Sequence, residues 1–334
     1  MIWYKYENPE IVISTRVRLA RNLKGIPFPE QLKNKEEYIK KIKDAIFLSN
    51  STLSSDFIDF KLDTLSHREK LSMVEKHLIS SQMLDSGASA CLVNKDNTMS
   101  IMIMEEDHIR QQVIHGGYKP DEAYEICNKV DDVLSESLDF AFDEKLGYLT
   151  ACPTNVGTGM RVSVMMHLPA LTLTRRIGKI INSAANVGMT VRGYYGEGTE
   201  ADGCFYQISN QITMGVSEHE IISRVKNVTE QIVSFEKEAR SELIKQNKNE
   251  IENRVWRSFG MLKYSRISSS KEVITHLSDV LLGINLGIIT LDKNIPVMEL
   301  IVKSQPGNIA DTAMSPSERD LKRAEFIREA FKEV

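Results

Sequence analysis

The chain changes texture at Ser217, and that change restricts it to a mixed sheet-and-helix body followed by a helical one. Before Ser217, short β-type runs alternate with amphipathic helical patterns. Residues 11–19 (IVISTRVRL) are β-branched and alternating, while 90–94 (ACLVN) and 99–106 (MSIMIMEE) flank the polar turn KDNT and predict a hairpin. A helix is predicted after Pro120, because proline suits the first helical position and apolar residues then recur at helical spacing. GYLTACP, MRVSVMMHL, MTVRGYY and GCFYQIS, each bounded by glycine or proline, predict further strands, with one helix over about 170–187 between the second and third. Consecutive hairpins imply an antiparallel sheet, so the fold class is α+β.

From Ser217 the signals are all helical. Ser217 with Glu220 forms a capping-box pattern, and Ile221, Val225, Val228, Ile232 and Phe235 mark one face of a long helix. Ser269 with Glu272, Pro296, and Ser315 with Pro316 and Glu318 start further helices. The expected division is 1–240 for the sheet-bearing domain and 241–334 for a small all-α domain.

With 42% hydrophobic and 26% charged residues, the chain is expected to fold as an ordinary soluble protein. A formal charge of −4 gives no general basic field, which argues against a protein that coats nucleic acid. Any anion site must therefore be locally concentrated. The start MIWYKYENPE lacks a basic segment leading into an apolar one, and no apolar stretch is long enough to span a membrane, so a cytoplasmic protein is expected. Cys91, Cys127, Cys152 and Cys204 contain no C-x-x-C pair, against both a zinc site and a disulfide framework.

The sequence has no P-loop and no G-x-G-x-x-G after a strand. It has instead arginines on or beside predicted strands: Arg16 and Arg18 in STRVR, Arg110 in EEDHIR, Arg161 in GTGMR and Arg192 in VRGYYGEG. Strand alternation puts Arg16 and Arg18 on one sheet face. One such arginine is ordinarily a solvated surface residue. A set of them at the edges of one sheet would repel unless an anion sat among them, and the planar guanidinium fork suits phosphate oxygens.

Three segments add chemistry. In CPTNVGTGMR (152–161) a glycine-rich turn could offer backbone N–H groups to an anion and hold the Cys152 thiol near a cation, although on spacing alone Cys152 reads better as a buried small hydrophobe. MEEDHIR (104–110) sets Glu105, Glu106 and Asp107 at a strand end, either solvated or supplying a general base. GYYGEGTEADG (193–203), with Glu197, reads as a loop that closes over substrate or as a long hairpin connection.

STRVRLARN, EEDHIR, CPTNVGTGMR and RGYYGEG, in this order and separation, together resemble the phosphagen (guanidino) kinase family over roughly residues 11–240. EKHLIS (75–80), ACPTNVGTGMRVSV and RDLKRA (319–324) make the chain most similar to the bacterial protein arginine kinases of that family. The resemblance implies an antiparallel sheet flanked by helices, ATP and Mg²⁺ as cofactors, and protein arginine as the phosphoryl acceptor. It implies that Ser14, Thr15, Arg16, Val17, Arg18, His77, Arg110, Arg161, Val162, Ser163, Val164, Met165, Arg192, Gly193, Tyr194, Tyr195, Gly196 and Glu197 surround the nucleotide. Glu106 matches the catalytic carboxylate, Glu197 would hold the substrate guanidinium, and Cys152 matches the reactive cysteine. Arg319, Asp320, Arg323 and Ala324 match a phosphoarginine-binding pocket. Met104 departs from the pattern, standing where the family usually has an asparagine.

The chemistry accounts for these residue types. A guanidinium with a pKa above about 12 has no free lone pair, so attack on phosphorus needs a carboxylate that binds the cation and accepts its proton. Small-guanidine kinases of the family carry an N-terminal helical cap, and STRVR begins here at residue 14, so an open site that accepts whole proteins is expected. The resemblance further implies protein substrates with an exposed arginine, a zinc-binding activator protein, a heat-shock repressor and a Clp ATPase as partners, with a homodimer also open and no membrane or direct nucleic-acid partner. Two other readings stand beside it: a non-catalytic adaptor for phosphoarginine, and a kinase for a free small guanidine.

Overall fold

Strand β1 (Val12–Arg21) organises the sheet, because its β-branched Ile13, Thr15 and Val17 lie on a buried face and alternate with half-buried Arg16 and Arg18 on the other. It pairs antiparallel with β5 (Ile109–Gly116), in a register that sets Arg18 opposite Gln112 and Ala20 opposite Arg110. β3 (Ala90–Asn94) and β4 (Met99–Ile103) form the predicted hairpin. β4 also pairs antiparallel with β5, and β2 (Phe57–Lys61) with β3. Every residue of β4 is buried, which explains why its sequence is apolar except for Ser100, whose hydroxyl donates to Leu78 O at 2.6 Å: both of its faces are covered. Cys91, Val93 and Met102 pack there with Leu62, Met73, Leu78, Ile79 and Met83.

The computed structural model describes residues 2–5, 8–194, 202–290, 293–310 and 314–332. The chain divides into two compact units. The first comprises Met1–Trp3, Ser14–Ser163 and Ser209–Lys226; the second comprises Tyr4–Ile13, Val164–Ile208 and Asn227–Val334. In the first, the strand order is β2-β3-β4-β5-β1, followed by the parts of β8 (Met160–His167) and β10 (Phe205–Asn210) that belong to it. This is not the run of consecutive hairpins that the sequence suggests, because β1 lies between β5 and β8.

The helices of the first unit are α1 (Lys35–Phe47), α2 (His67–Glu75) and α3 (Pro120–Ser135). A capping box between Ser66 and Glu69 starts α2. Proline opens α3 as predicted, and Ala123, Cys127, Val130 and Leu134 turn its apolar stripe inward. On the same stripe, the Asp131 carboxylate accepts Arg21 Nε at 3.0 Å, Arg21 Nη2 at 2.8 Å and Gln111 Nε2 at 2.7 Å. A buried ion pair thus ties α3 to β1 and β5.

The predicted strand in GYLTACP is almost wholly absent. Only β7 (Gly147–Tyr148) forms, against β6 (Phe142–Asp143). Beyond it the backbone finds other partners: Leu149 N donates to Ala141 O at 2.9 Å and Ala151 N to the Asp107 carboxylate at 2.7 Å.

In the second unit, β9 (Met189–Gly193) is the strand next to β10. The single helix expected over 170–187 is two, α4 (Pro169–Leu173) and α5 (Ile177–Asn186), interrupted where Arg175 takes φ +57°. Helix α6 (Glu218–Tyr264) runs 47 residues as two helical stretches joined across a kink at the non-helical Asn247, and position 240 lies in the first stretch. α7 (Ser270–Asn285), α8 (Val297–Lys303), α9 (Pro306–Ile309) and α10 (Pro316–Ala330) follow, with capping boxes at Ser269 and Ser315 as predicted. Gly283 lets α7 approach α6 closely, since a Cβ there would stand 2.3 Å from Val255 Cγ1. Glu236 of α6 accepts the Ala170 and Leu171 N–H groups at 3.0 Å each, satisfying two donors of the first turn of α4. Among the described residues no helix is long and apolar enough to cross a membrane.

Asp131→Ala leaves the buried Arg21 guanidinium without its carboxylate and is expected to cost about 3–5 kcal/mol by chemical denaturation. Asp131→Asn, which keeps an acceptor, should cost less; equal stability of Asp131→Ala and wild type would dismiss this pair as the tie between α3 and the sheet.

Candidate functional site

Four guanidinium groups gather on one face of the first unit. Arg16 and Arg18 alternate with fully buried Thr15, Val17 and Leu19 on β1, Arg110 lies near the start of β5, and Arg161 near the start of β8. Burial, then repulsion from Arg110 and Arg161, pulls Arg16 down to about 10. Arg18 is pulled well below the usual arginine range by burial, then by Arg16, Arg110 and Arg161, with Glu105 opposing. These groups are thus close enough to raise one another's free energy in the charged state. A cleft is lined by Arg18, Arg110, Arg161, Glu106, Cys152, Thr154, Asn155, Ala20 and Gly159. Arg18 Nε is buried and has no hydrogen-bond partner among the described residues.

The consecutive acids 105–107 have three different fates. Glu105, its side chain 1% exposed, receives Arg110 Nη1 on both carboxylate oxygens at 2.6 and 2.7 Å and the Ser80 hydroxyl as well. It is committed to holding Arg110. Asp107 is buried and accepts Asn22 Nδ2 at 2.6 Å and Ala151 N at 2.7 Å, which staples the acidic turn to the segment leading into Cys152. Glu106 is left facing the cleft. Burial, then the negative charge of Asp107, raises its pKa above the usual glutamate value, with Arg110 and Arg161 opposing.

The backbone of this turn is unusual. Met104 is buried with φ +60°, and its N–H donates to His108 O at 3.0 Å. Asparagine tolerates the left-handed region better than methionine does, which gives a physical reason for the residue usual in the resembling family. His108 is fixed on both ring nitrogens: Nδ1 accepts from Leu23 N at 3.0 Å and Nε2 meets Pro27 O at 2.9 Å.

His77 also has φ +59° and stands edge-on to Trp3 at 5.1 Å. Burial, then Arg16 and Arg18, drives its pKa down to about 3, so the ring is neutral at physiological pH. The loop 152–159 is shaped by glycine. A Cβ on Gly157 (φ +114°) would meet Thr213 O at 2.2 Å, and one on Gly159 (φ +63°) would meet Ala20 O at 2.6 Å and Arg21 Nη1 at 2.7 Å. The half-buried Cys152 thiol lies 3.0 Å from the Thr154 hydroxyl.

Of the residues expected around a nucleotide, Arg16, Arg18, His77, Arg110 and Arg161 therefore converge with Glu106 and Cys152. Ser14 is buried, Val17 is core, and the Thr15 hydroxyl donates to Gly117 O at 2.8 Å, so these support the arginines through the strand. Val162 N donates to Asn210 Oδ1 at 2.8 Å and Ser163 is buried beside it. Val164 and Met165 on β8, and Arg192, Gly193 and Tyr194 at the end of β9, belong to the second unit. Tyr195, Gly196 and Glu197 lie outside the described residues.

In α10, Arg319 and Asp320 are half-buried, while Arg323 is 2% exposed and Ala324 is buried. Arg323 is engaged internally: Nε donates to Ser304 O at 2.7 Å, and Nη1 to Ser268 O at 2.9 Å and to Asp320. Sequence reading missed Asn22, Asn210 and Thr213 as builders of the cleft. Asn22 stands inside STRVRLARN, but a buried asparagine has no spacing signature that separates it from a turn residue.

Residues 37–239 match the family described as ATP:guanido phosphotransferase, C-terminal catalytic domain, and residues 248–334 match the protein-arginine kinase McsB C-terminal domain. A protein-arginine kinase of Caldanaerobacter subterraneus subsp. tengcongensis is 48% identical over 326 residues, covering 95% of this chain and 96% of that relative. One from Bacillus subtilis is 45% identical over 335 residues, covering 98% and 92%. Among solved structures, lombricine kinase superposes with a TM-score of 0.61 at 22% identity, over 71% of this chain and 69% of its own, a likeness of fold. The duplicated taurocyamine kinase of Schistosoma mansoni superposes with a TM-score of 0.60 at 26% identity, over 68% of this chain and 33% of its own.

Mutually repelling arginines predict that inorganic tripolyphosphate raises the thermal unfolding midpoint, by about 2.7 kcal/mol of linkage at about a hundredfold excess over its Kd. The effect should weaken as salt screens the charges. Arg18→Ala is expected to remove most of the shift; an undiminished shift in that variant would place the anion elsewhere.

Proposed function

Because the chain belongs to the ATP:guanido phosphotransferase family and aligns over nearly its whole length with protein-arginine kinases, we infer that it transfers the γ-phosphoryl group of ATP to arginine side chains of proteins. The observation that carries this reading is the cleft in which Arg18, Arg110 and Arg161 share walls with Glu106. Such a site can hold a polyanion and a cation side by side.

In the reaction we propose, Arg16, Arg18, Arg110 and Arg161 hold the triphosphate, and the unpartnered Arg18 Nε suits a phosphate oxygen. Mg²⁺, carried in with ATP, would neutralise further charge on the phosphates. A guanidinium nitrogen of the substrate forms the N–P bond as the bond from γ-phosphorus to the ADP oxygen breaks, and Glu106 takes the nitrogen's proton. Burial serves Glu106 well, since a carboxylate with a raised pKa is a stronger base. The fixed geometry supplied by Asp107, Asn22 and Glu105 lets positioning carry most of the catalysis. Cys152, on the same wall, is assigned to orienting the guanidine, and Glu197 to binding its positive charge, the latter from family resemblance alone.

We assign residues 1–240 to the catalytic part and 241–334 to the helical part, since the two family matches end at 239 and begin at 248. In the latter, we assign Arg319 and Asp320 to binding of phosphoarginine, with buried Arg323 bracing Asp320. A zinc-binding activator protein, a heat-shock repressor and a Clp ATPase, like the cytoplasmic location, follow from the resemblance alone.

Glu106→Gln is expected to lower kcat by about 10²–10⁴-fold while ADP affinity stays within about twofold. In the wild type, kcat/KM should fall as pH drops through the Glu106 pKa, so its acid limb lies above the usual glutamate value of 4.5. A fully active Glu106→Gln enzyme would sink the assignment of the base.

Arg319→Ala is expected to weaken binding of a phosphoarginine-bearing peptide about tenfold or more, as loss of a charge-assisted pair implies. ATP turnover should be unchanged; unchanged peptide affinity would remove the pocket from α10.

A further inference from the structure

We propose that Phe142, Leu146, Ile212 and Met214 form a docking surface for apolar residues flanking the target arginine of the substrate polypeptide, an inference that rests on the protein-arginine reading above. These side chains are 56%, 46%, 45% and 54% exposed. Single exposed apolar residues are commonplace, but these come from two chain segments that meet at one glycine.

The first segment is pinned to the cleft wall. Thr213 donates its hydroxyl to Thr154 O at 2.9 Å and to Val156 O at 2.8 Å, and its carbonyl accepts Thr158 N at 3.0 Å. Thr154 and its neighbour Asn155 line the cleft with Cys152 and Glu106. Ile212 and Met214 flank Thr213, so their backbone is fixed beside the place where a guanidinium would enter.

The second segment reaches the same point through Gly157. Tyr148 and Gly157 exchange hydrogen bonds of 2.7 and 3.3 Å, and a Cβ on Gly147 would stand 2.5 Å from Gly157 O. On its other side Gly157 is so close to Met214 that a Cβ would stand 2.6 Å from Met214 Cα. The hairpin tip is rigid too: Asp143 Oδ1 accepts Lys145 N at 2.8 Å and Leu146 N at 2.9 Å, and the Phe142 ring stands edge-on to Tyr148 at 5.2 Å. Apolar side chains presented on an ordered backbone lose little entropy when a partner covers them.

An arginine whose guanidinium reaches Glu106 leaves its own backbone, and the residues on either side of it, at the rim. The polypeptide is thereby carried past residues 154–158, to which both apolar segments are fixed. Free arginine has no such neighbours and would gain nothing from it.

The test uses the full chain with Mg-ATP and one carrier protein bearing either of two tails, identical except that the single arginine is flanked by leucines or by serines. The wild type should phosphorylate the leucine tail with kcat/KM about tenfold higher, the difference lying in KM, as partial burial of one or two apolar side chains implies. Ile212→Ser with Met214→Ser, and separately Leu146→Ser, should reduce that preference several-fold while leaving turnover of the serine tail unchanged, which also shows that the variants are folded. Equal turnover of the two tails by the wild type, or a preference that survives in both variants, overturns the docking surface and leaves the kinase reading standing. Absence of phosphoarginine on both tails overturns both.

Discussion

Like charges held close together govern this structure. Burial, and then repulsion among these cations and from Arg110 and Arg161, lowers the pKa of Arg16 and Arg18, and of the neighbouring acids Glu105 is directly paired, with Arg110. Such an arrangement survives folding only if other interactions hold the strands in place, and those are visible. The Arg21–Asp131 pair joins β1 to α3, Gln111 extends it to β5, and the Tyr148 ring stacks on Arg21 at 3.5 Å. Stability is supplied on one face of β1 so that repulsion can be tolerated on the other. On the reading proposed above, a triphosphate entering the cleft would relieve the repulsion, so part of its binding energy would be stored in the protein beforehand.

The neighbouring acids show how position in the chain can matter less than partners. Glu105, Glu106 and Asp107 are the same kind of group within one turn, yet of the three only Glu106 has neither a dedicated cation nor a pair of donors among the described residues and faces the cleft. A base must reach the group whose proton it takes, whereas Glu105 is turned to Arg110 and Ser80 and Asp107 to Asn22 and Ala151. The turn therefore separates one cleft-facing carboxylate, the proposed base, from two supports, and the separation depends on Ser80, Asn22 and Ala151 from three other segments.

Much of this was legible in the sequence where the local pattern was strong. Alternation in STRVR placed Arg16 and Arg18 on one face, and the capping boxes at Ser269 and Ser315 marked helix starts. Less could be read where tertiary partners override local propensity. GYLTACP has strand-like residues, but Asp107 captures Ala151 N and the ladder stops after Tyr148. The helix across 170–187 breaks because Arg176 N turns back to Leu171 O at 2.8 Å, closing the first piece around Arg175. The choice of Glu106 over Glu105 was likewise invisible without resemblance, since Arg110 is in reach of either along the chain. The position of β1 between β5 and β8 is a long-range pairing, and no hairpin signal encodes it.

Backbone strain gathers at the same place as the charge. Met104 and His77 both hold left-handed dihedrals without the freedom of glycine; Met104 adjoins Glu105, which holds Arg110, and His77 itself lies near Arg16 and Arg18. Each is held by its surroundings. Met104 is buried and bonded to His108 O, while Gln112 Nε2 donates to the His77 carbonyl at 2.6 Å and Trp3 covers its ring. At Met104 the strain buys direction: the left-handed residue ends β4 sharply, so that Glu105 turns in to Arg110 while Glu106 reaches the cleft. A relaxed extended residue at 104 would continue the alternation of the strand and place Glu105 and Glu106 on opposite faces of the sheet. The arrangement of one carboxylate as brace and the next as proposed base thus depends on a single unfavourable dihedral, held in place by the packing of β4.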